Sequence, residues 1–549
     1  MSGRPGVNGD LLATARAWAE ADPHEGDRAE ILALVEAGDT AELGRRFAGP
    51  LTFGTAGLRG PLRAGPAGMN AAVVLRAAAG VGRHLLDTGH GGGTVVIGFD
   101  ARRRSDEFAH LSAQVFSALG FGVQLMPRPL PTPVLAFAVR HLGAVAGVMV
   151  TASHNPPDDN GYKLYLEQGA QLVPPADRAI EAAIAAVGPA RDVPLTGGHA
   201  VLGDDVLTEY VTAVVRALDP ERVPAADRAA LRVAYTAMHG VGASTTRLVF
   251  AAAGFAQPVA VAEQDAPDPR FPTVAFPNPE EPGAVDLLTA LADRSGADVA
   301  IAQDPDADRC SVVCAGRQLT GDEVGALLAD WLLRRGVRGT YASSLVSGSL
   351  MHAIAESRGV PSEETPTGFK WIVRAGSAAA PLVYGYEEAL GYAVAPDVVR
   401  DKDGISAALA VALLAAELKA EGRTLLDRLD ELAEEHGLFV TGQLSVRVED
   451  LSLITDAMAR LRSAPPAALL GRPVEYADLA EQSPPVDAVR LLGDGVRVIV
   501  RPSGTEPKLK AYLETVVPVH DDAGMIAARG RGADELDQLR AEMSAALGV

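Results

Sequence analysis

Residues 94–153 carry five runs in a fixed rhythm: TVVIGFD (94–100), EFAHLSAQVFSALG (107–120), VQLMP (123–127), LAFAVRHLG (135–143) and GVMVTAS (147–153). Short apolar runs of β type alternate with longer stretches at helical spacing. That alternation is the signature of βαβ units, and it predicts an α/β domain. The last run ends in a serine and passes into a loop of different character, HNPPDDNGYK (154–163). Ligand sites in α/β sheets lie beyond the carboxyl ends of the strands, so this loop is where chemistry is expected.

Working outward, the same order recurs twice. LRVAYTAMHG (231–240) and a helix from Ser244 lead to ADVAIAQDPDADR (297–309). GTYASSLVSG (339–348) and a further helix lead to APLVYGYEEALGY (380–392). Each time a late apolar strand runs straight into a polar loop. The spacing predicts three similar α/β domains. Before them, LLATARAWAEA (11–21) and RAEILALVEAGDTAELGRRF (28–47) have helical spacing, with Trp18 as a core residue. After them, HGLFVTGQLSVRVED (436–450), a helix near 451–463 and the adjoining strands VRVIVR (496–501) and LKAYLET (509–515) predict a smaller α+β domain. ADELDQLRAEMSAAL (533–547) closes it as an amphipathic helix. The expected division is an N-terminal helical extension over 1–48, α/β domains over 49–204, 205–318 and 319–437, and the α+β domain over 438–549.

Size and charge agree with this division. At about 150 residues per domain, 549 residues give three to four domains. Hydrophobic residues at 48% and charged residues at 22% are globular composition. The net charge of −21 argues against general affinity for nucleic acid or anionic membrane. The start shows no basic segment followed by an apolar one, and no apolar span approaches about 20 residues. We therefore expect a soluble cytoplasmic protein. Its two cysteines, Cys310 and Cys314, lack a second pair to complete a zinc site and are expected to be reduced and buried.

Four constellations carry possible chemistry. Ser153 stands at a strand end beside His154, Asn155 and Lys163, which suits phosphoryl transfer; the same residues also suit an ordinary turn. In DPDADR, Asp304, Asp306 and Asp308 can converge on a hard cation such as Mg²⁺, against the alternative of three solvated carboxylates. Arg309 and Ala315 stand where an EF-hand needs Gly and Glu, which removes that reading. An aspartate-nucleophile phosphotransferase would carry Thr or Val in place of Asp308. In RPSGTEPK, Arg501, Ser503, Thr505 and Lys508 around Gly504 have the residue types of a phosphate cradle. Glu387 and Glu388 of YEEALGY can bind sugar hydroxyls or form a solvated turn. TFGTAGLRGPLRAG (52–65), with Arg59, and HGVGAST (239–245) are weaker signals, and His239 is expected to be structural.

Taken together and in this order, TASHNPPDDNGYK, DPDADR, YEEALGY and RPSGTEPK resemble the α-D-phosphohexomutase superfamily of phosphoglucomutases and phosphomannomutases, from about residue 50 to the C-terminus. The resemblance implies four domains around a central cleft. It implies that Ser153 is phosphorylated in the resting enzyme, and that Asp304, Asp306 and Asp308 hold Mg²⁺ with a phosphoserine oxygen. Lys163 and Arg59 would assist proton transfer, with His154 beside the nucleophile, and Arg309 would hold the phosphoryl group. Glu387 and Glu388 would recognise the sugar, while Arg501, Ser503, Gly504, Thr505 and Lys508 would grip the non-reacting phosphate. TPTGFKW (365–371) resembles a further substrate segment, making Lys370 a phosphate or sugar contact. The implied reaction interconverts hexose 1- and 6-phosphates through a 1,6-bisphosphate, with glucose 1,6-bisphosphate as activator, in a monomer or homodimer.

Ala389 departs from the serine that phosphoglucomutases commonly carry there, which leaves mannose and pentose phosphates as rivals to glucose. The forms EEALGY and DNGYK look most like the branch with phosphopentomutase activity. A metal-dependent sugar phosphatase and a catalytically silent sugar-phosphate binder are the readings from other classes.

Overall fold

The computed structural model describes residues 5–52, 57–448, 450–482, 484–503, 508–519 and 522–548. The chain packs as two compact units. One runs to Gly316 and includes Ala395–Ala412; the other comprises Arg317–Val394 with Leu413–Val549.

In the first unit, three helices (Pro5–Ala21, Glu25–Ala37, Thr40–Arg46) form the N-terminal extension. Trp18 is half-buried and packs edge-on against Phe47 around Ala15, Ile31 and Leu43. Arg104 ties the extension to the first sheet, donating to both carboxylate oxygens of Asp27 at 2.7 and 3.0 Å. That sheet has six strands in the order Leu58–Pro61, Asp159–Leu166, Ala146–Val150, Thr94–Phe99, Gly122–Leu125, Ala200–Val201. Thr94–Phe99 runs parallel to its two neighbours, whereas Ala146–Val150 and Asp159–Leu166 are antiparallel. Strand Ala146–Val150 is buried throughout, as its unbroken apolar sequence requires for a strand covered on both faces.

The second sheet of this unit repeats the arrangement. Val259–Ala260, Val233–Thr236 and Val299–Ala302 are parallel, and Ser311–Cys314 returns antiparallel to Val299–Ala302. In the other unit, Ser362–Thr365, Thr340–Ser344 and Leu382–Glu387 are parallel, and Gly391–Ala393 returns antiparallel. All three α/β sheets therefore end in one device: a parallel strand, a polar loop, then an antiparallel partner. The loops are 151–158, 303–310 and 388–390, so the three polar segments that stand out in the sequence occupy equivalent places.

The stretch Ala395–Ala412, which the sequence puts inside the expected third domain, belongs to the first unit. Buried carboxylates explain this: Asp401 accepts from Tyr165 and Gln171, each at 2.7 Å, and Asp403 accepts from Tyr210 at 2.9 Å.

The second unit also holds an antiparallel sheet in which Leu438–Arg447 pairs with Lys508–Val517, followed by Val496–Pro502, Val489–Gly493 and Arg472–Asp478. Helices Ser452–Ser463 and Asp522–Leu547 cover it, burying Leu461, Leu539 and Met543 against Val498 and Leu513. Cys310 and Cys314 are buried thiols with no disulfide. Among the described residues, no helix is long and apolar enough to cross a membrane.

Candidate active site

Ser153 lies three residues past the end of strand Ala146–Val150, with φ of 52°. A left-handed conformation costs a serine about 1–3 kcal/mol and persists only where its surroundings over-determine it. Two buried groups do so here. The Ser153 amide donates to Thr151 Oγ1 at 2.9 Å, and Thr151 in turn donates to Asp100 Oδ2 at 2.7 Å. Arg102 donates to the carbonyls of Ser153 and Asn155 at 2.6 Å, of Pro156 at 2.8 Å and of Asp159 at 3.3 Å. Its guanidinium sits 4.9 Å from the ring centre of Phe271, and Asp100 lies 3.4 Å away as counter-ion. The loop thus winds around one buried cation, and the Ser153 side chain emerges from it.

What it meets is the loop of Asp304, Asp306 and Asp308, all three buried. Ser153 Oγ donates to Asp304 Oδ2 at 2.7 Å and lies 3.2 Å from His154 Nδ1. One oxygen from each of the three aspartates falls within 4.8 Å of the others. Two glycines let neighbouring backbone close on this loop: a Cβ on Gly240 would stand 2.3 Å from Pro305 Cα, and one on Gly404 would stand 2.2 Å from the Arg309 carbonyl.

The carboxylates are divided between two tasks. Lys163 Nζ donates to Asp306 Oδ2 at 2.7 Å and to Asp308 Oδ2 at 2.8 Å. Thr132 also donates to Asp306 Oδ2, at 2.6 Å. The other oxygens, Asp306 Oδ1 and Asp308 Oδ1, are buried with no hydrogen-bond partner among the described residues. Buried carboxylate oxygens left unpaired are costly, and a hard divalent cation is the ligand that oxygen donors of this kind take. The triad therefore fits a metal such as Mg²⁺.

The charge states follow from burial and neighbours. Burial, then the charges of Asp306 and Asp308, push the Asp304 carboxyl well above its ordinary value. Burial opposes ionisation of Asp306 too, but Lys163 and the hydrogen bonds of Asp304, Lys163 and Thr132 hold it below the usual carboxylate range. Lys163 is held above its ordinary value because Asp306 and Asp308 outweigh its burial. Burial, with Arg309 and Arg59 nearby, lowers His154 well below an ordinary histidine, so it is neutral at pH 7. Arg59 on strand Leu58–Pro61 donates to Asn155 Oδ1 at 2.9 Å. The Arg309 backbone amide donates to Asp304 Oδ1 at 3.1 Å, and its side chain pairs with Glu280 at 3.0 Å. Ser153, His154, Arg59, Lys163, Arg309 and the three aspartates are thus one cluster.

The remaining expected residues lie in the second unit. Glu387 ends strand Leu382–Glu387. Glu388 is half-buried: its Oε2 accepts from Ser344 at 3.0 Å and Ser347 at 3.2 Å, and its amide donates to Ser347 Oγ at 3.1 Å. Lys370 is buried in the short helix Phe369–Ile372. Arg501 lies on strand Val496–Pro502 opposite Lys510, and the Ser503 amide donates to the Lys508 carbonyl at 2.8 Å, closing the hairpin. Gly504 and Thr505 lie outside the described residues, as does Gly54 of the weaker glycine-rich stretch. His239 is structural, paired with Thr273 at 2.8 Å.

Sequence reasoning passed over Asp100, Arg102, Phe271, Glu280 and Lys402. Asp100 and Arg102 had one signal, a polar pair at the carboxyl end of TVVIGF. Phe271 and Glu280 sit in a proline-rich loop with no strand or helix pattern to flag it. Lys402 lies between Asp401 and Asp403, with Nζ 3.7 Å from Asp308 Oδ2, and nothing local marks it.

Domain models of one family match in chain order, described as phosphoglucomutase/phosphomannomutase alpha/beta/alpha domain I (residues 50–190), domain II (208–317), domain III (320–436) and C-terminal domain (444–520). A Haemophilus influenzae relative named "Probable phosphomannomutase" is 44% identical over 489 residues, covering 86% of this chain and 96% of the relative. A mouse relative named phosphopentomutase is 33% identical, covering 93% of this chain and 91% of its own. A Staphylococcus aureus relative named phosphoglucomutase is 33% identical, covering 87% and 91%.

Proposed function

The chain belongs to the phosphoglucomutase/phosphomannomutase family, and on that premise we propose that it is a phosphosugar mutase interconverting hexose 1-phosphate and hexose 6-phosphate, with glucose the favoured sugar. The observation that carries the reading is Ser153 Oγ, buried and hydrogen-bonded to Asp304 within a carboxylate triad that also holds Lys163. A turn serine has no use for such surroundings, and a phosphoryl carrier does.

In the resting enzyme Ser153 bears the phosphoryl group. The free hydroxyl of a hexose 1-phosphate attacks it, Lys163 and Arg59 assist the proton's departure, and a 1,6-bisphosphate results. The intermediate turns over, returns its other phosphate to Ser153 and leaves as the 6-phosphate. Asp304, Asp306, Asp308 and a phosphoserine oxygen would hold Mg²⁺, which when bound offsets charge on the transferring group. Arg309, braced by Glu280, faces the same group. Neutral His154 can exchange a hydrogen bond with Ser153 without adding charge. Glu387 and Glu388 recognise the sugar, and Lys370 adds a phosphate or sugar contact. Arg501, Ser503, Gly504, Thr505 and Lys508 grip the non-reacting phosphate. Glucose 1,6-bisphosphate serves as activator, and the enzyme acts in the cytoplasm. The proposed domains are 1–48, 49–204, 205–318, 319–437 and 438–549.

Sugar preference is where Ala389 matters: the phosphate grip is indifferent to the sugar, so the choice among glucose, mannose and pentose falls to the loop that Ala389 occupies. The test is a panel of glucose, mannose, glucosamine, ribose and deoxyribose 1-phosphates with Mg²⁺ and the matching bisphosphate. Fastest conversion of glucose 1-phosphate to the 6-phosphate is expected. Free phosphate as the main product would make the protein a phosphatase, and binding without turnover would make it a silent binder.

A further inference from the structure

The loop 345–349, which follows strand Thr340–Ser344, is gripped from two sides by the antiparallel sheet of the same unit. Arg497, on strand Val496–Pro502 and buried, donates through Nη1 to the Ser347 carbonyl at 2.8 Å. Through Nη2 it donates to the Leu345 carbonyl and to Glu364 Oε1, the latter at 2.7 Å. On the neighbouring strand Glu514, also buried, accepts from the Ser349 amide at 2.6 Å and the Ser349 hydroxyl at 2.5 Å. Leu345 and Val346 complete the contact by packing against Leu479, Ala488 and Ile499. A cation thus takes the carbonyls of this loop, an anion takes its amide end, and apolar side chains fill the space between them.

The opposite side of the loop holds Glu388. Ser344 and Ser347 hydroxyls converge on one carboxylate oxygen, and Ser347 Oγ also receives the Glu388 amide. Ser347 is therefore the shared residue: its carbonyl is fixed by Arg497 and its hydroxyl by Glu388. Arg497 and Arg501 are four residues apart on one strand, which puts them on the same face.

We propose that Arg497 is a positioning residue for sugar recognition. By fixing the backbone of 345–347 it sets the Ser344 and Ser347 hydroxyls, which hold the Glu387–Leu390 turn at a constant offset from the strand that leads into the phosphate-binding segment. Leu390, with φ of 63°, is the strained end of that turn and depends on such support. The assignment of Glu387 to sugar and Arg501 to phosphate rests on the mutase reading above. The mechanical link does not.

The test uses the full-length protein and the variants Arg497→Lys, which keeps charge but loses the planar fork, and Ser347→Ala, which removes both Ser347 hydroxyl contacts to Glu388 without touching Arg497. Hydrogen exchange at residues 388–390 is expected to speed up in both variants, with global melting nearly unchanged in Ser347→Ala. In the turnover assay, KM for glucose 1-phosphate is expected to rise about tenfold in each variant while kcat stays within about threefold, the pattern of a displaced binding group. The double variant should be no worse than the worse single one, because both cut one link. Unchanged exchange at 388–390 would overturn the link, and additive KM effects or a kcat loss at constant KM would overturn the positioning role. Absence of turnover in the wild type under the same conditions would refute the mutase reading instead, and the exchange measurement would still decide the link. Should Arg497→Lys fail to fold, Ser347→Ala alone decides.

Discussion

Replacing Lys163 by methionine keeps the bulk of the side chain and removes a cation that touches two aspartates of the triad. Its ammonium lies 2.7 Å from Asp306 Oδ2 and 2.8 Å from Asp308 Oδ2, with all three groups buried. Lys402, 3.7 Å from Asp308, cannot replace both contacts. Removing one partner of a buried ion pair costs about 3–5 kcal/mol, because the other charge is left uncompensated. At about 2–4 °C per kcal/mol, melting in the presence of EDTA should fall by about 6–20 °C. With Mg²⁺ the loss of stability is smaller. The two Oδ1 atoms that have no hydrogen-bond partner already suit a cation, and loss of Lys163 adds two unneutralised Oδ2 atoms beside them. Mg²⁺ should therefore bind the variant about tenfold more tightly, and at saturation offset about 1.4 kcal/mol of the loss. Turnover should nonetheless fall by about 10²–10⁴, the range for losing a positioned proton-transfer group. Scanning fluorimetry across a Mg²⁺ titration and a coupled glucose 6-phosphate assay read both effects. A melting drop that is equal with and without Mg²⁺, or full turnover in the variant, would refute the division of the carboxylates between lysine and metal.

Ser153→Ala should abolish turnover with a stability change of about 1 kcal/mol or less, since the hydroxyl carries little packing; peptide mass analysis of the wild type should find the labile phosphate on Ser153 and not elsewhere. Arg102→Lys should lower turnover by about 100-fold and stability by about 2–4 kcal/mol, because an ammonium cannot serve four carbonyls that a planar fork reaches, and unchanged values in both assays would show that the loop holds its shape unaided. His154 is neutral when folded and titrates near 6.5 when unfolded, so below that pH only the unfolded chain gains the proton. Its stabilisation is thus present above pH 6.5 and lost as pH falls, by up to ~1.4 kcal/mol per unit, and urea unfolding of His154→Asn between pH 7.5 and 5 should show a shallower acid slope.

Much of this molecule was legible from local pattern. Short unbroken apolar runs and helical spacings mark strands and helices because burial on two faces or one dictates them, so GVMVTAS, ADVAIAQ and PLVYGYE each read as a strand running into a polar loop. The tertiary structure adds that all three loops connect a parallel strand to an antiparallel one, which is why chemistry collects at equivalent places. Glu388 shows what chain spacing leaves out: beside Glu387 it reads as a second sugar ligand, and one of its carboxylate oxygens also accepts from serines 41 and 44 residues away.

Residue types alone point to the kind of chemistry, since a serine, three spaced aspartates and a cation-rich glycine loop have few joint uses. How charge is shared among them follows from the packed fold. Ser153 keeps a left-handed backbone because Arg102, 51 residues earlier, collects the carbonyls of its loop. Lys163 reaches across about 140 residues to take one oxygen from each of two aspartates, leaving the other oxygens for a metal. Spacing along a chain encodes periodicity and local turns. Which buried charge neutralises which depends on distances across the fold, and those exist only once the strands have packed.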